Sequence, residues 1–361
     1  MIIVDIITYI THISSNKMIE DQKTNSHVKI SENSLTRRRF FYQSGAAILT
    51  TAFLSSCNAI DDIFPKKDDK PAEGDTRDKT LAFFGDSLTI GAGGTAPYGS
   101  FVGAALPGRP VVSDGIVGQV ASSIAVRQGG VSLKISVEGD KLNGIKPVKI
   151  TKLSNQFLTT SSNIDEYSRT GTIAGVKCTI RRTAAAGSGE TYTITPTTVS
   201  VVAIPADSEF LLDDAVRLKT ATQILWYGRN NIGKAGAEEE ILASVASSVA
   251  YITAPARYIV LGVLIEYDEN KGTANYNQVA AINEKLAAKY GNSYVQMTPP
   301  TDSEMAAIGY TPTADDLTDL KNLNFPRGMR SDIKTDDIHL NDKGYKIVAN
   351  RVIEKLKELK Y

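Results

Sequence analysis

The chain has 361 residues, enough for one large domain or two ordinary ones, which excludes a small scaffold held by disulfides. Lys and Arg (40) balance Asp and Glu (40), and no basic run follows the N-terminal region, so electrostatic capture of nucleic acid is not expected. His12 and His27 both precede Cys57, so a chain processed at Cys57 keeps His339 alone, too few imidazoles for a histidine-based zinc site; neither metal nor cofactor is expected.

In chain order, MIIVDIITYITHI is apolar but short and interrupted by Asp5, and Met18 offers an alternative start. From Thr36 the chain reads TRRRFFYQSGAAILTTAFLSSC, with arginines, an apolar run from Gly45 to Leu54, then small residues before a cysteine. The apolar run is about half of the ~20 residues that a membrane-spanning helix needs. Thr36 to Phe40 resembles the twin-arginine export signal, and Leu54-Ser55-Ser56-Cys57 resembles a bacterial lipobox. Residues 1–56 therefore read as an export signal and leader, with Cys57 as the lipid attachment site and a membrane as a partner through that anchor. The expected location is the bacterial cell envelope. Residues 57–79 are charged, proline-bearing and poor in large apolar residues, as a solvated tether is. Cys178 then has no partner for an internal disulfide and reads as a small buried apolar side chain in GVKCTI.

Beyond Thr80, the segments TLAFFGD, RPVVSDGI, ATQILWYG, ARYIVLGVLI and SYVQM are mostly apolar without alternation, the pattern of parallel strands covered on both faces. Helical stretches are expected at Val120 to Arg127, Ala237 to Ile252, Ala274 to Tyr290 and Asn341 to Leu359. Strand alternating with helix implies an α/β layered domain whose active edge lies at the C-terminal ends of the strands. Between Gly130 and Asp207 the rhythm changes: VSLKISVEG, KPVKITKL, GTIAGVKCTIRR and ETYTITPTTVSVVAI alternate apolar with polar. These read as half-buried antiparallel strands, a small β domain at 131–207 inserted between 80–130 and 208–361.

Gly85-Asp86-Ser87-Leu88 follows the first strand. Alone, it is an ordinary turn and helix cap. An ester-cleaving serine also needs a base, a carboxylate to orient the base, and donors for a developing oxyanion. TDDIHLNDKGY supplies His339 with Asp336 three residues before it and Asp337 nearer. Gly118, in VVSDGIVGQVASS, offers a backbone N–H at a strand-to-helix turn, and Asn230, in ILWYGRNNIG, offers a side-chain amide. Tyr98, Arg127 and Arg229 lie near these blocks, with structural or surface roles the simpler reading.

The four blocks, in order, resemble the SGNH hydrolase family, also called the GDSL esterase/lipase family, over about Thr80 to Tyr361 outside the β insert. That resemblance implies a flavodoxin-like three-layer α/β/α sandwich with a parallel sheet. It implies Ser87 as nucleophile, His339 as base and then acid, and Asp336 rather than Asp337 orienting it. It further implies an oxyanion hole from the Ser87 and Gly118 N–H groups and the Asn230 side chain. The chain departs from the pattern in reading GRNN where GxND is commoner, and in carrying the insert between the second and third blocks. The expected activity is ester hydrolysis through an acyl-enzyme, on O-acetyl or other short acyl groups of a carbohydrate. A lipid ester is the alternative substrate, and a non-catalytic binding lipoprotein the alternative function.

Overall fold

The computed structural model describes residues 77–160, 166–185 and 189–361. The stretches expected to be an export signal and, for the most part, a tether, together with Cys57, lie outside the described residues. Among those described, no helix is long and apolar enough to cross a membrane.

Five parallel strands form one sheet: Leu81–Gly85, Val111–Gly115, Thr222–Trp226, Tyr258–Leu261 and Tyr294–Val295. Numbered along the chain, they lie in the order 2-1-3-4-5. This is the flavodoxin-like order, and its crevice opens at the carboxyl ends of strands 1 and 3, where the direction of winding reverses.

The apolar runs are continuous because both faces of the sheet are covered. Leu81 and Phe83 point to one side, packing with Ile224, Trp226, Tyr345, Val348 and Val352. Ala82 and Phe84 point to the other, packing with Leu225, Ile124, Ile241, Val245 and Ile282. Each large side chain buried in this way contributes about 1.5–3 kcal/mol relative to exposure. The helices Tyr98–Ala105 and Asp342–Glu358 supply the first side, and Ala121–Gln128, Ala237–Tyr251 and Ala274–Tyr290 the second. The result is a three-layer α/β/α arrangement.

Asn341 starts the last helix as its N-cap, its side chain accepting from the Lys343 and Gly344 N–H groups. Two short helices that the hydrophobic period does not signal, Asp302–Ala307 and Ala314–Lys321, each open with a capping box, at Thr301/Glu304 and Thr313/Asp316. The fifth strand is shorter than SYVQM suggests, with only Tyr294–Val295 paired.

Between the second and third parallel strands lies a seven-stranded antiparallel sheet. Lys134–Val137, Val148–Leu153, Gly189–Pro196, Val176–Ala185 and Tyr167–Ile173 are neighbours in that order. Two-residue strands at Ser208–Glu209 and Leu211–Leu212 close its edges. These edges fall after residue 207, where the alternating pattern ends, because two paired residues are too few to show a period. Lys141–Gly144 and Ser200–Ala203 make a separate pair. One apolar core underlies the region and reaches Ile116, Val126 and Ala215 of the α/β layers. Cys178 is fully buried in it, and burial pushes its thiol up to about 11.

Candidate active site

The first strand ends at the crevice, and Asp86 begins the short helix Ser87–Ile90 by accepting the Leu88 N–H at 2.9 Å. That cap places Ser87 in the first helical turn, above the sheet edge. Gly85 has no alternative: a Cβ there would lie 2.0 Å from Thr89 Oγ1 and 2.7 Å from the Trp226 carbonyl.

Asp336 and His339 lie on the strand Asp336–Leu340, which pairs antiparallel with Arg330–Asp332. The paired positions are Arg330 with Leu340 and Asp332 with Asp336, so Ser331 stands opposite the stretch 337–339. Side chains three apart on a regular strand face opposite ways, and this bulge lets these two meet. His339 Nδ1 lies 2.8 and 2.9 Å from the two Asp336 carboxylate oxygens, and the His339 backbone N–H donates to Oδ1 at 3.1 Å. His339 Nε2 lies 2.7 Å from Ser87 Oγ. The carboxylate on Nδ1 favours the tautomer that carries a proton there and leaves Nε2 free to accept from the serine.

Two further groups hold this histidine. Arg330, buried, donates to the Asp337 and Ile338 carbonyls, and to the Ile265 carbonyl and Asn324 Oδ1. Gly93, at φ +84°, passes so close that a Cβ would lie 2.8 Å from His339 Cβ and 2.7 Å from Ser331 Cβ. Asp337 is turned elsewhere: its carboxylate clusters with Glu266 and Asp268, and its carbonyl accepts from the Tyr267 N–H.

Gly118 occupies a turn after the second strand at φ +72°. Neither its N–H nor that of Ser87 donates to any of the described residues. Asn230 comes from the turn after the third strand, where Gly228 takes φ +108°. Its amide is already engaged, donating to Asp86 Oδ2 at 3.1 Å and to the Gln119 carbonyl at 3.0 Å. Any donation to a bound oxyanion therefore requires one of these bonds to be shared or released. The neighbouring Asn231 Oδ1 accepts the Ala121 N–H at the start of the helix Ala121–Gln128, so the second Asn of GRNN provides the acceptor oxygen that an Asp would.

Asp86, Gln119 and Gly93 are the site residues that motif reading passed over. Asp86 is buried, and burial pushes its carboxyl up to about 6, opposed by the Leu88 N–H and by the His339, Arg229 and Arg127 charges. Its place beside Ser87 was the available signal; nothing in the sequence singles out Gln119.

Tyr98, Arg127 and Arg229 are structural. Tyr98 is buried edge-to-face between Phe83 and Trp226. Arg127 binds the Asp114 and Gly85 carbonyls, the Gln119 side chain and the Asp114 carboxylate. Arg229 is held by both Glu269 oxygens and the Leu264 carbonyl.

No protein-family model matches the chain, and no curated protein matches it by sequence. Among solved structures, the chain is similar to a protein assigned to the G-D-S-L lipolytic family from Desulfitobacterium hafniense, at 11% identity, 77% of this chain, 99% of that one and a TM-score of 0.40. It is also similar to a protein assigned as an acylhydrolase from Bacteroides fragilis, at 12% identity, 80% of this chain, 90% of that one and a TM-score of 0.39. Likeness at this level says nothing about chemistry, which has to be read from the site's own residues.

Proposed function

We propose that the chain is a serine ester hydrolase of the SGNH type. One observation carries this reading: Ser87 Oγ, His339 Nε2, His339 Nδ1 and both Asp336 oxygens form one continuous hydrogen-bonded line at 2.7–2.9 Å. Ser87 Oγ attacks the ester carbonyl carbon while its proton passes to His339 Nε2. The tetrahedral oxyanion is bound by the Ser87 and Gly118 N–H groups, joined by Asn230 once its amide turns from an existing partner. The intermediate collapses, the C–O bond to the alcohol breaks, and His339 returns the proton to the departing oxygen. Water then attacks the acyl-serine, gives its proton to His339, and releases the carboxylic acid and a reprotonated Ser87. No cofactor takes part in these steps.

The substrate we favour is an O-acetylated or short-acyl carbohydrate of the cell envelope. The lipobox-like Leu54 to Cys57 supports the location, and the antiparallel sheet docked beside the crevice supports a polymer substrate. Hydrolysis of p-nitrophenyl esters of increasing acyl length by the purified protein and by Ser87→Ala tests both parts. The acetyl ester should be cleaved fastest, and only when Ser87 is present. Rates rising with chain length would point to lipid esters instead, and equal background rates for both proteins would overturn the enzyme reading.

A further inference from the structure

The antiparallel region meets the α/β layers at the loop that carries Gly118, and Gln119 makes the junction. The residue is 1% exposed, and both its side-chain nitrogen and its side-chain oxygen are hydrogen-bonded. The Nε2 group donates to the Phe157 carbonyl at 2.9 Å and the Thr159 carbonyl at 3.0 Å, both from the segment after the strand Val148–Leu153. Its Oε1 accepts from Arg127 Nε at 2.7 Å, and the same arginine holds the Gly85 carbonyl beneath the serine turn at 2.7 Å. The Gln119 backbone carbonyl accepts from Asn230.

Two further contacts join the same two surfaces. Thr160 Oγ1 donates to the Val117 carbonyl at 2.8 Å, on the residue before Gly118. Arg169, from the strand Tyr167–Ile173, pairs with Asp114 in the second parallel strand, which also pairs with Arg127. Phe157 is fully buried in the antiparallel core, so the two carbonyls that bind Gln119 are fixed to that sheet.

We propose that Gln119 is a positioning residue, through which the antiparallel region sets the place of the oxyanion donors Gly118 and Asn230. The proposal rests on the esterase reading above. Two donors and one acceptor on a single buried side chain fix both its ends, so the loop cannot drift without breaking bonds that buried carbonyls need. Oxyanion donors act only when aimed at the position where charge develops, and removal of one donor in such a site costs roughly 10²–10³-fold in kcat. A displaced loop loses a fraction of that contribution.

The test measures kcat and KM on p-nitrophenyl acetate, with affinity for phenylboronic acid, whose tetrahedral serine adduct carries the same oxyanion. Wild type and Ser87→Ala come first: equal rates there would defeat the esterase reading, and the proposal with it. With wild type active, Gln119→Met should lower kcat about 10- to 100-fold with KM within about threefold, and weaken boronate binding by a similar factor. Phe157→Leu, which alters neither the triad nor an oxyanion donor, loosens the two carbonyls from the antiparallel core and should lower kcat in the same direction by a smaller factor. It also serves if Gln119→Met does not fold. A purely structural Gln119 would give lower melting temperatures with kcat and boronate affinity within twofold of wild type in the folded variants, and that result would overturn the proposal.

Discussion

The Asp86 carboxylate, one residue before Ser87, accepts the Asn230 side-chain amide at 3.1 Å and the Leu88 N–H at 2.9 Å. A single buried acid thus orients the turn that carries the serine and the amide from the third strand. Its cost lies in desolvation, which pushes its pKa up from 3.8 to about 6.

That shift has a sign in stability. Because the folded-state value lies above the ordinary one, the stabilisation linked to Asp86 is fully present below about 3.8 and is lost as pH rises through about 6. The gap corresponds to roughly 3 kcal/mol. Other carboxylates, such as Asp114 and Glu304, are shifted down and act in the opposite direction, so the effect is read against Asp86→Asn. Between pH 7 and pH 4, urea unfolding should show wild type gaining about 2–3 kcal/mol relative to Asp86→Asn. A constant difference across that range would mean that Asp86 is not held in this way.

Gly93→Ala should damage activity out of proportion to stability. The new methyl would meet His339 Cβ and Ser331 Cβ at 2.8 and 2.7 Å, from a backbone at φ +84° that L residues rarely adopt. Relief requires the Gly93 turn and the strand pair carrying Ser331 and His339 to move apart, which shifts the histidine relative to the serine turn, and a misplacement of about 1 Å costs on the order of 100-fold in rate. Steady-state kinetics on a folded variant, checked by circular dichroism, should show kcat/KM reduced at least tenfold. Wild-type kinetics would show that Gly93 does not constrain the histidine.

The two aspartates of TDDIHLND should separate cleanly. Asp336→Asn keeps the shape but puts an amide against His339 Nδ1 and favours the wrong tautomer, which in comparable triads lowers kcat by up to about 10⁴-fold. Asp337→Asn alters a carboxylate that faces Glu266 and Asp268, and should leave kcat within about threefold. Equal losses from the two substitutions would contradict the assignment of Asp336.

Much of the sheet was legible because burial on both faces leaves unbroken apolar runs, as in LAFFG and TQILW, and these mark strands without reference to the fold. The pairing of Asp336 with His339 was legible as a spacing, but not its cause. The protein brings the two together with a bulged strand, a product of register that local sequence does not encode. The engagement of Asn230 by Asp86 and Gln119 was hidden for a related reason. The contacts span 144 and 111 positions in the chain, and no local pattern reports them. The edge strands at Ser208–Glu209 and Leu211–Leu212 escaped notice because they are too short to alternate.

The central claim is that Ser87 forms the acyl-enzyme with His339 as its base. Its most direct test is peptide mass spectrometry of protein quenched in acid during turnover of p-nitrophenyl acetate. The account predicts one acetyl group on the peptide containing Ser87 in wild type, and none at any position in Ser87→Ala or His339→Ala. Acetylation at another residue, or unchanged turnover in Ser87→Ala, would contradict it.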